Sequence, residues 1–392
     1  MDKSSILRKR GEGSGSKVGF VELFYDLVFV FSIIQLSHAL AHHFTIAGVG
    51  ETLILILAIW WLWMFTTWAL NWLDPDTMAV RLLLFAMMFG GLVLASAIPE
   101  AWGEKGLLFG ATFAAMQVGR SLFTAWIFWG NSNKHALNFL RIAIWLAFSG
   151  AFWIAGGLAN HEGRTILWLI ALLIEYASPA LFFWVPVIGK STIEDWDISG
   201  THMAERCALF VIICIGETIL VSGRSFAEAE MSAVNLVAFA GNFTGICMLW
   251  WIYFRFGHER AAHHIEHSND PGRVGRAVFT YAHFPIVAGI ILCAVGAEFV
   301  LAHPQGHSGW KEAAAVLGGP MIFLLGNIWF KGAVWGRVPL SHLLGLVLLA
   351  LAVLVHHLFA PWQLSLVAAM VLIVVSVLEW RALKPAGNVV PQ

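Results

Sequence analysis

The chain has 392 residues, of which 59% are hydrophobic and 12% charged, with a formal net charge of −1. Charge at about half the roughly 25% of an ordinary globular domain excludes a water-soluble fold, and disorder, coiled coil and collagen with it; the near-neutral balance argues against a nucleic-acid partner. The 20 tryptophans, 29 phenylalanines and 37 glycines suit a bilayer instead, where aromatics anchor at the interfaces and small residues let helices approach closely.

In chain order, the first segment, residues 1–18, is basic and Gly/Ser-rich without an apolar core. It is neither a secretory signal nor a helix, and reads as a disordered cytoplasmic tail. Twelve apolar runs follow, at about 19–42, 51–72, 78–98, 106–129, 137–159, 164–187, 203–222, 233–255, 275–301, 313–335, 338–359 and 362–381. A membrane helix needs roughly 20 apolar residues and a barrel strand only about 10, so run length selects helices. With the N-terminus inside, eighteen of the 23 Lys and Arg residues fall on the cytoplasmic side, and only Lys105, Arg164, Arg224 and Lys311 fall outside. The remaining one, Arg120, lies within the fourth run. The positive-inside rule therefore places both termini in the cytoplasm. Cys207, Cys214, Cys247 and Cys293 all lie in apolar runs and read as packing residues.

Self-similarity divides the chain into six-helix halves at 19–190 and 191–385, with a short C-terminal tail at 386–392. LeuValPheValPheSerIleIleGln at 27–35 aligns with LeuPheValIleIleCysIleGlyGlu at 209–217, TrpTrpLeuTrp at 60–63 with TrpTrpIleTyr at 250–253, Arg81 with Arg276, and Arg141 with Arg337. Six is even, so the second half enters the membrane in the same direction as the first. The expected fold class is an all-α integral membrane protein of about twelve helices in two parallel repeats, a plan shared by many secondary transporters with binding sites near the midplane.

Ionisable groups within a bilayer cost at least ~2.5–3.5 kcal/mol each near its centre on insertion scales, which makes them functional candidates. Glu22 and Asp26 stand four apart on one face of the first helix, where like charges repel and call for a cation, a proton or a basic partner. Gln35 lies deeper on another face. Arg120, at Asp26's depth, is the expected counter-charge, in a structural pair or at a substrate site. Glu175 sits near the centre of the sixth run, followed by Tyr176, Ser178 and the helix-breaking Pro179, a setting for a proton or cation site. The seventh run carries Glu205 and Arg206 at its start and Glu217 in its outer half, where the first repeat has the neutral Gln35. His283 precedes Pro285 in the ninth run, and histidine as a residue type titrates near neutrality.

Many of the 16 histidines crowd the loops. His258, His263, His264 and His267, with Glu259 and Glu266, occupy the connection after the eighth run; the i,i+4 spacing of His263 and His267 suits zinc, but no third ligand follows from it. A solvated polar loop is the expectation, as for His42–His43 and His356–His357, so no metal and no cofactor is assigned. There is no phosphate-binding loop, nucleophile elbow or dinucleotide fingerprint, no connection long enough for a nucleotide-hydrolysing domain, and no enzyme is expected.

ValGluLeuPheTyrAspLeuValPheValPheSerIleIleGlnLeuSerHis at 21–38, AlaGluArgCysAlaLeuPheValIleIleCysIleGlyGluThrIleLeu at 204–220 and TyrAlaHisPheProIleValAlaGlyIle at 281–290 resemble signature segments of the bacterial low temperature requirement protein A family. Tyr25 stands where that family usually has phenylalanine. The resemblance emphasises Glu22, Asp26, Glu205, Arg206, Glu217 and His283, and implies an association with growth in the cold without supplying a substrate. The expected function is a secondary transporter or ion-coupled permease of the bacterial inner membrane, handling a small solute, proton or cation, with membrane lipids as its other partners and its oligomeric partners unassigned. A cation channel lined by Glu22, Asp26 and Glu217 is the alternative, then a membrane sensor or an intramembrane enzyme.

Overall fold

The computed structural model describes residues 3–8, 18–196, 198–255 and 271–382. The histidine-rich connection at 258–267 and the C-terminal tail lie outside them, as does most of the N-terminal segment. Among the described residues the fold is all-helical, with no strands. Helices α1 (Phe20–His42), α2 (Ile46–Leu70), α3 (Met78–Ala97), α4 (Gly106–Phe128), α5 (Asn133–Leu158) and α6 (His161–Ala177) precede α7 (Gly200–Glu228) and α8 (Ala233–Phe254). A short helix at Pro271–Gly275 then leads to α9 (His283–Ala302), α10 (Trp310–Val316), α11 (Gly318–Trp335), α12 (Leu340–Leu354) and α13 (Pro361–Ala382).

Every expected apolar run contains a helix, and nine helical stretches among the described residues are long and apolar enough to cross a membrane. Helices α4, α6 and α12 are not among the nine. Helix α4 has the length, but Gln117, Arg120, Ser121 and Thr124 dilute its middle, while α6 and α12 have 17 and 15 residues. Large apolar side chains such as Phe89, Leu173 and Met370 face outward from their helices, the reverse of a soluble protein. The chain is thus a multi-pass membrane protein.

Local signals explain the ends. The Thr45, Asn160 and Ser232 side chains accept from the backbone N–H three residues on, capping α2, α6 and α8. Glu22 Oε2 accepts from Gly19 N at 2.8 Å at the start of α1. The sixth run was expected to stay helical to 187, but α6 stops at Ala177. Pro179 cannot continue the ladder, and beyond it the non-glycine residues Phe182, Phe183 and Val187 adopt positive φ. The ninth run is also broken, into a π-helical turn at Arg276–Tyr281 and then α9. Pro285 lacks the N–H that Tyr281 would receive in a regular helix, and the wider turn lies just before it.

The chain divides into two compact units, Met1–Ile213 with Ala261–Thr280 and Cys214–Arg260 with Tyr281–Gln392. In the first, Trp60, Trp61, Trp63, Trp153 and Trp168 are fully buried, and α4 meets α5 so closely that a Cβ on Gly110 would lie 2.3 Å from the Trp153 carbonyl oxygen. In the second, α9 and α11 meet at Gly289, where a Cβ would come within 2.5 Å of Phe323 N. The N-terminal residues expected to be disordered are in part ordered: Lys3–Ile6 form a 3-10 turn, Ile6 is buried, and Asp74 N donates to its carbonyl at 2.8 Å. A buried isoleucine and an arginine with a carboxylate partner offset the polarity of the segment.

Candidate functional site: a buried charge ladder

The first two turns of α1 place Glu22 and Asp26 on one face, and the first two turns of α7 do the same for His202 and Arg206. The two i,i+4 pairs meet rung by rung. His202 Nε2 lies 2.8 Å from Glu22 Oε1, and Arg206 Nη2 donates to Asp26 Oδ1 at 2.7 Å. Each rung joins residues 180 apart, and Phe29 meets Phe210 one turn further on. Helix α1 and the first part of α7 therefore run side by side in the same direction. All four side chains are buried in the first unit.

The upper rung is enclosed. Arg8 Nη2 donates to Glu22 Oε2 at 2.8 Å, while its Nε donates to the carbonyls of Leu70 and Leu73 at the end of α2. Asn71 Nδ2 lies 3.3 Å from His202 Nδ1. A proton on Nε2, donated to Glu22, with Nδ1 accepting from Asn71, satisfies those two contacts, and Arg8 Nη2 lies a further 3.2 Å from Nε2. Glu205, half-buried beside the ladder, accepts from Val18 N at 3.2 Å.

The lower rung is not fully met. Trp63 Nε1 also donates to Asp26 Oδ1, at 2.8 Å, and the Arg206 guanidinium lies over the Trp63 ring. Asp26 Oδ2 and Arg206 Nε and Nη1 are buried without a hydrogen-bond partner. Unsatisfied groups of this kind cost about 1–3 kcal/mol each, more when charged, so three of them on one buried pair call for an explanation.

Arg120 is not the counter-charge of α1. Its guanidinium binds Thr66 Oγ1 at 3.2 Å, with longer bonds to the Leu62 and Gln117 carbonyls and Ser121 Oγ. Arg206 and Arg8 take that role instead, because α7 and the N-terminal segment, rather than α4, face the carboxylates. Tyr25 Oη donates to the same Thr66 hydroxyl at 3.1 Å. Glu175 is buried between α4 and α5, accepting from Ser149 Oγ and Trp153 Nε1 at 2.8 Å and from Gln117 Nε2 at 3.3 Å. Gln35 is half-buried nine residues beyond Asp26.

Glu217 and His283 belong to the second unit. Glu217 is buried on α7. His283 Nε2 lies 2.8 Å from Tyr253 Oη and packs edge-on against Phe330. That unit also holds a charged cluster unforeseen from the sequence: Lys331 Nζ donates to Glu379 Oε1 at 2.7 Å and to the Ile252 carbonyl at 3.0 Å, and lies 3.3 Å from His342 Nε2. Sequence reasoning missed His202, Trp63 and Lys331. His202 and Arg206 show the i,i+4 spacing of Glu22 and Asp26 and could have been read as their complement; Lys331, near the end of its run, counts by sequence with the cytoplasmic charges.

A protein of Rhizobium meliloti (strain 1021), described as uncharacterized, is 44% identical over 370 residues, covering 94% of this chain and 90% of the relative. No solved structure matches. The family model described as bacterial low temperature requirement A protein matches residues 17–377, which span the charge ladder, Arg120, Glu175, Glu217 and His283. The chain belongs to the bacterial low temperature requirement A family.

Proposed function

We propose that the protein is an ion-coupled secondary transporter of the bacterial inner membrane, moving a small solute with a proton or cation through a site built on the Glu22–His202 and Asp26–Arg206 ladder. The lower rung carries this reading: a fully buried carboxylate and guanidinium keep three polar atoms without partners, so a hydrated ion or a polar solute group would complete the coordination that the protein leaves open. Intramembrane charges that face one another in this way mark ion and solute paths. The parallel course of α1 and the first part of α7 favours two parallel six-helix repeats, and with them twelve spans; the Lys and Arg distribution favours cytoplasmic termini. No enzymatic step is assigned.

Flux in proteoliposomes under an imposed pH or sodium gradient tests the proposal. Gradient-dependent uptake of one solute from a broad panel is expected, and Asp26→Asn should abolish it while the protein still reconstitutes. Absence of flux under every gradient would overturn the reading, and currents that persist without a gradient would replace it with a channel. Impermeant labelling of single cysteines near Gly48 and Gly309, but not near Gly13, tests the orientation.

A further inference from the structure

Glu175 lies apart from the ladder, and its surroundings select a ligand. The Ser149 hydroxyl and Trp153 indole both donate to Oε1 at 2.8 Å. A metal cation could not approach that oxygen, because two X–H groups already point at it. The other oxygen, Oε2, meets only the Gln117 amide, at 3.3 Å. Across the same amide, Gln117 Oε1 is a buried acceptor with no donor, and Gln117 itself is fully buried.

Protonation supplies the donor that Gln117 Oε1 lacks. A proton on Glu175 Oε2, with the Gln117 amide turned over, makes an O–H···O bond from Glu175 to Gln117 Oε1 and removes the charge of the carboxylate. We infer that Glu175 is a proton-binding site, with Oε2 the atom that carries the proton and Gln117 the residue that reads its presence. Binding converts the carboxylate and one proton into a carboxylic acid, and no other group changes oxidation or bonding.

The charged groups around it are few. On α4, Arg120 donates to the Gln117 carbonyl and is the nearby cation that favours release of the proton. On α5, Arg141 is engaged with the Ile188 carbonyl and Lys134 pairs with Asp195. On α2, Glu51 pairs with His161 at the far end of α6, where Arg164 is held by the Ala101, Gly103 and Gly156 carbonyls. Tyr176, next to Glu175, donates to the Leu57 carbonyl. None of these has a hydrogen bond to Glu175. The inference rests on the first unit alone and holds whether or not the protein transports.

Infrared difference spectroscopy of the full chain in nanodiscs, titrated from alkaline to neutral pH, tests it. The wild type should gain a protonated-carboxyl stretch that is missing from Glu175→Gln, with uptake of one proton more than in the variant. Gln117→Met should fold and move that band, since Oε2–H loses its acceptor. A band of the same size in Glu175→Gln would overturn the inference. If Glu175→Gln does not fold, the Gln117→Met spectrum decides, and an unmoved band overturns it. Sodium or lithium should leave the band in place; its loss on adding either ion would mean cation binding and refute the assignment.

Discussion

The two units bury charge in different ways. In the second, the Lys331 ammonium has three donors and three neighbours to receive them: Glu379, the Ile252 carbonyl and His342. In the first, Arg206 directs one nitrogen to Asp26 and leaves two without acceptors, and Asp26 leaves an oxygen unmet. A buried ion pair contributes little net stability even when its bonds are complete. A satisfied cluster such as that of Lys331 therefore suits an anchor between helices α11, α12 and α13. The ladder keeps a deficit that the Lys331 cluster does not, and on the proposed reading that deficit separates a site from a brace.

The largest expected effect breaks the brace. Lys331→Met strands the Glu379 carboxylate in an apolar setting and should destabilise the protein by about 3–5 kcal/mol, read as a drop in melting temperature in detergent. Adding Glu379→Leu should recover most of that loss, with activity intact. Replacing both members of the lower rung, Asp26→Leu with Arg206→Met, should likewise leave a folded protein, but one without gradient-driven flux. If both double variants keep or both lose activity, the distinction between the units fails.

A smaller effect is expected at the upper rung. Arg8→Ala removes a charge-assisted bond to Glu22, and bonds to charged groups are worth about 1.5–3 kcal/mol. Because Arg8 is 11% exposed, the loss should fall at or below the lower end of that range, accompanied by faster proteolysis before Phe20. An unchanged digestion pattern would show that residues 3–8 do not depend on this arginine. The smallest effect is expected at Arg81, whose pair with Asp76 is exposed on both sides. Arg81→Ala should change stability by less than about 1 kcal/mol, and serves as the surface control for the buried variants.

Much of the site was legible as residues but not as partners. Glu22, Asp26 and Arg206 stand out because apolar runs make every charge conspicuous, and Glu175 stands out beside Pro179 for the same reason. Assigning Arg120 to α1 failed because depth along a helix was used in place of azimuth. Two groups at equal depth meet only if their helices are neighbours with the right faces turned inward, and α1 meets α7 there. Lys331 escaped notice because a lysine in the last turn of a span usually reaches for the headgroups, whereas this one turns inward to Glu379.

What the sequence by itself determined was the material: an apolar chain of long runs whose backbone polar groups must be met within helices, with helix-breaking prolines in the sixth and ninth runs, and the i,i+4 pair of carboxylates on α1. Only the tertiary structure decided which pair faces which, that the N-terminal segment closes on Glu22, and that Gln117 stands against Glu175. The physical reason is that these helices are apolar around most of their circumference, so hydrophobic periodicity does not mark an inner face. Their rotation and their neighbours are set by packing at close contacts such as Gly110 and Gly289 and by a few buried polar bonds. The bonds of the ladder join residues 180 positions apart, a separation over which local pattern carries no information.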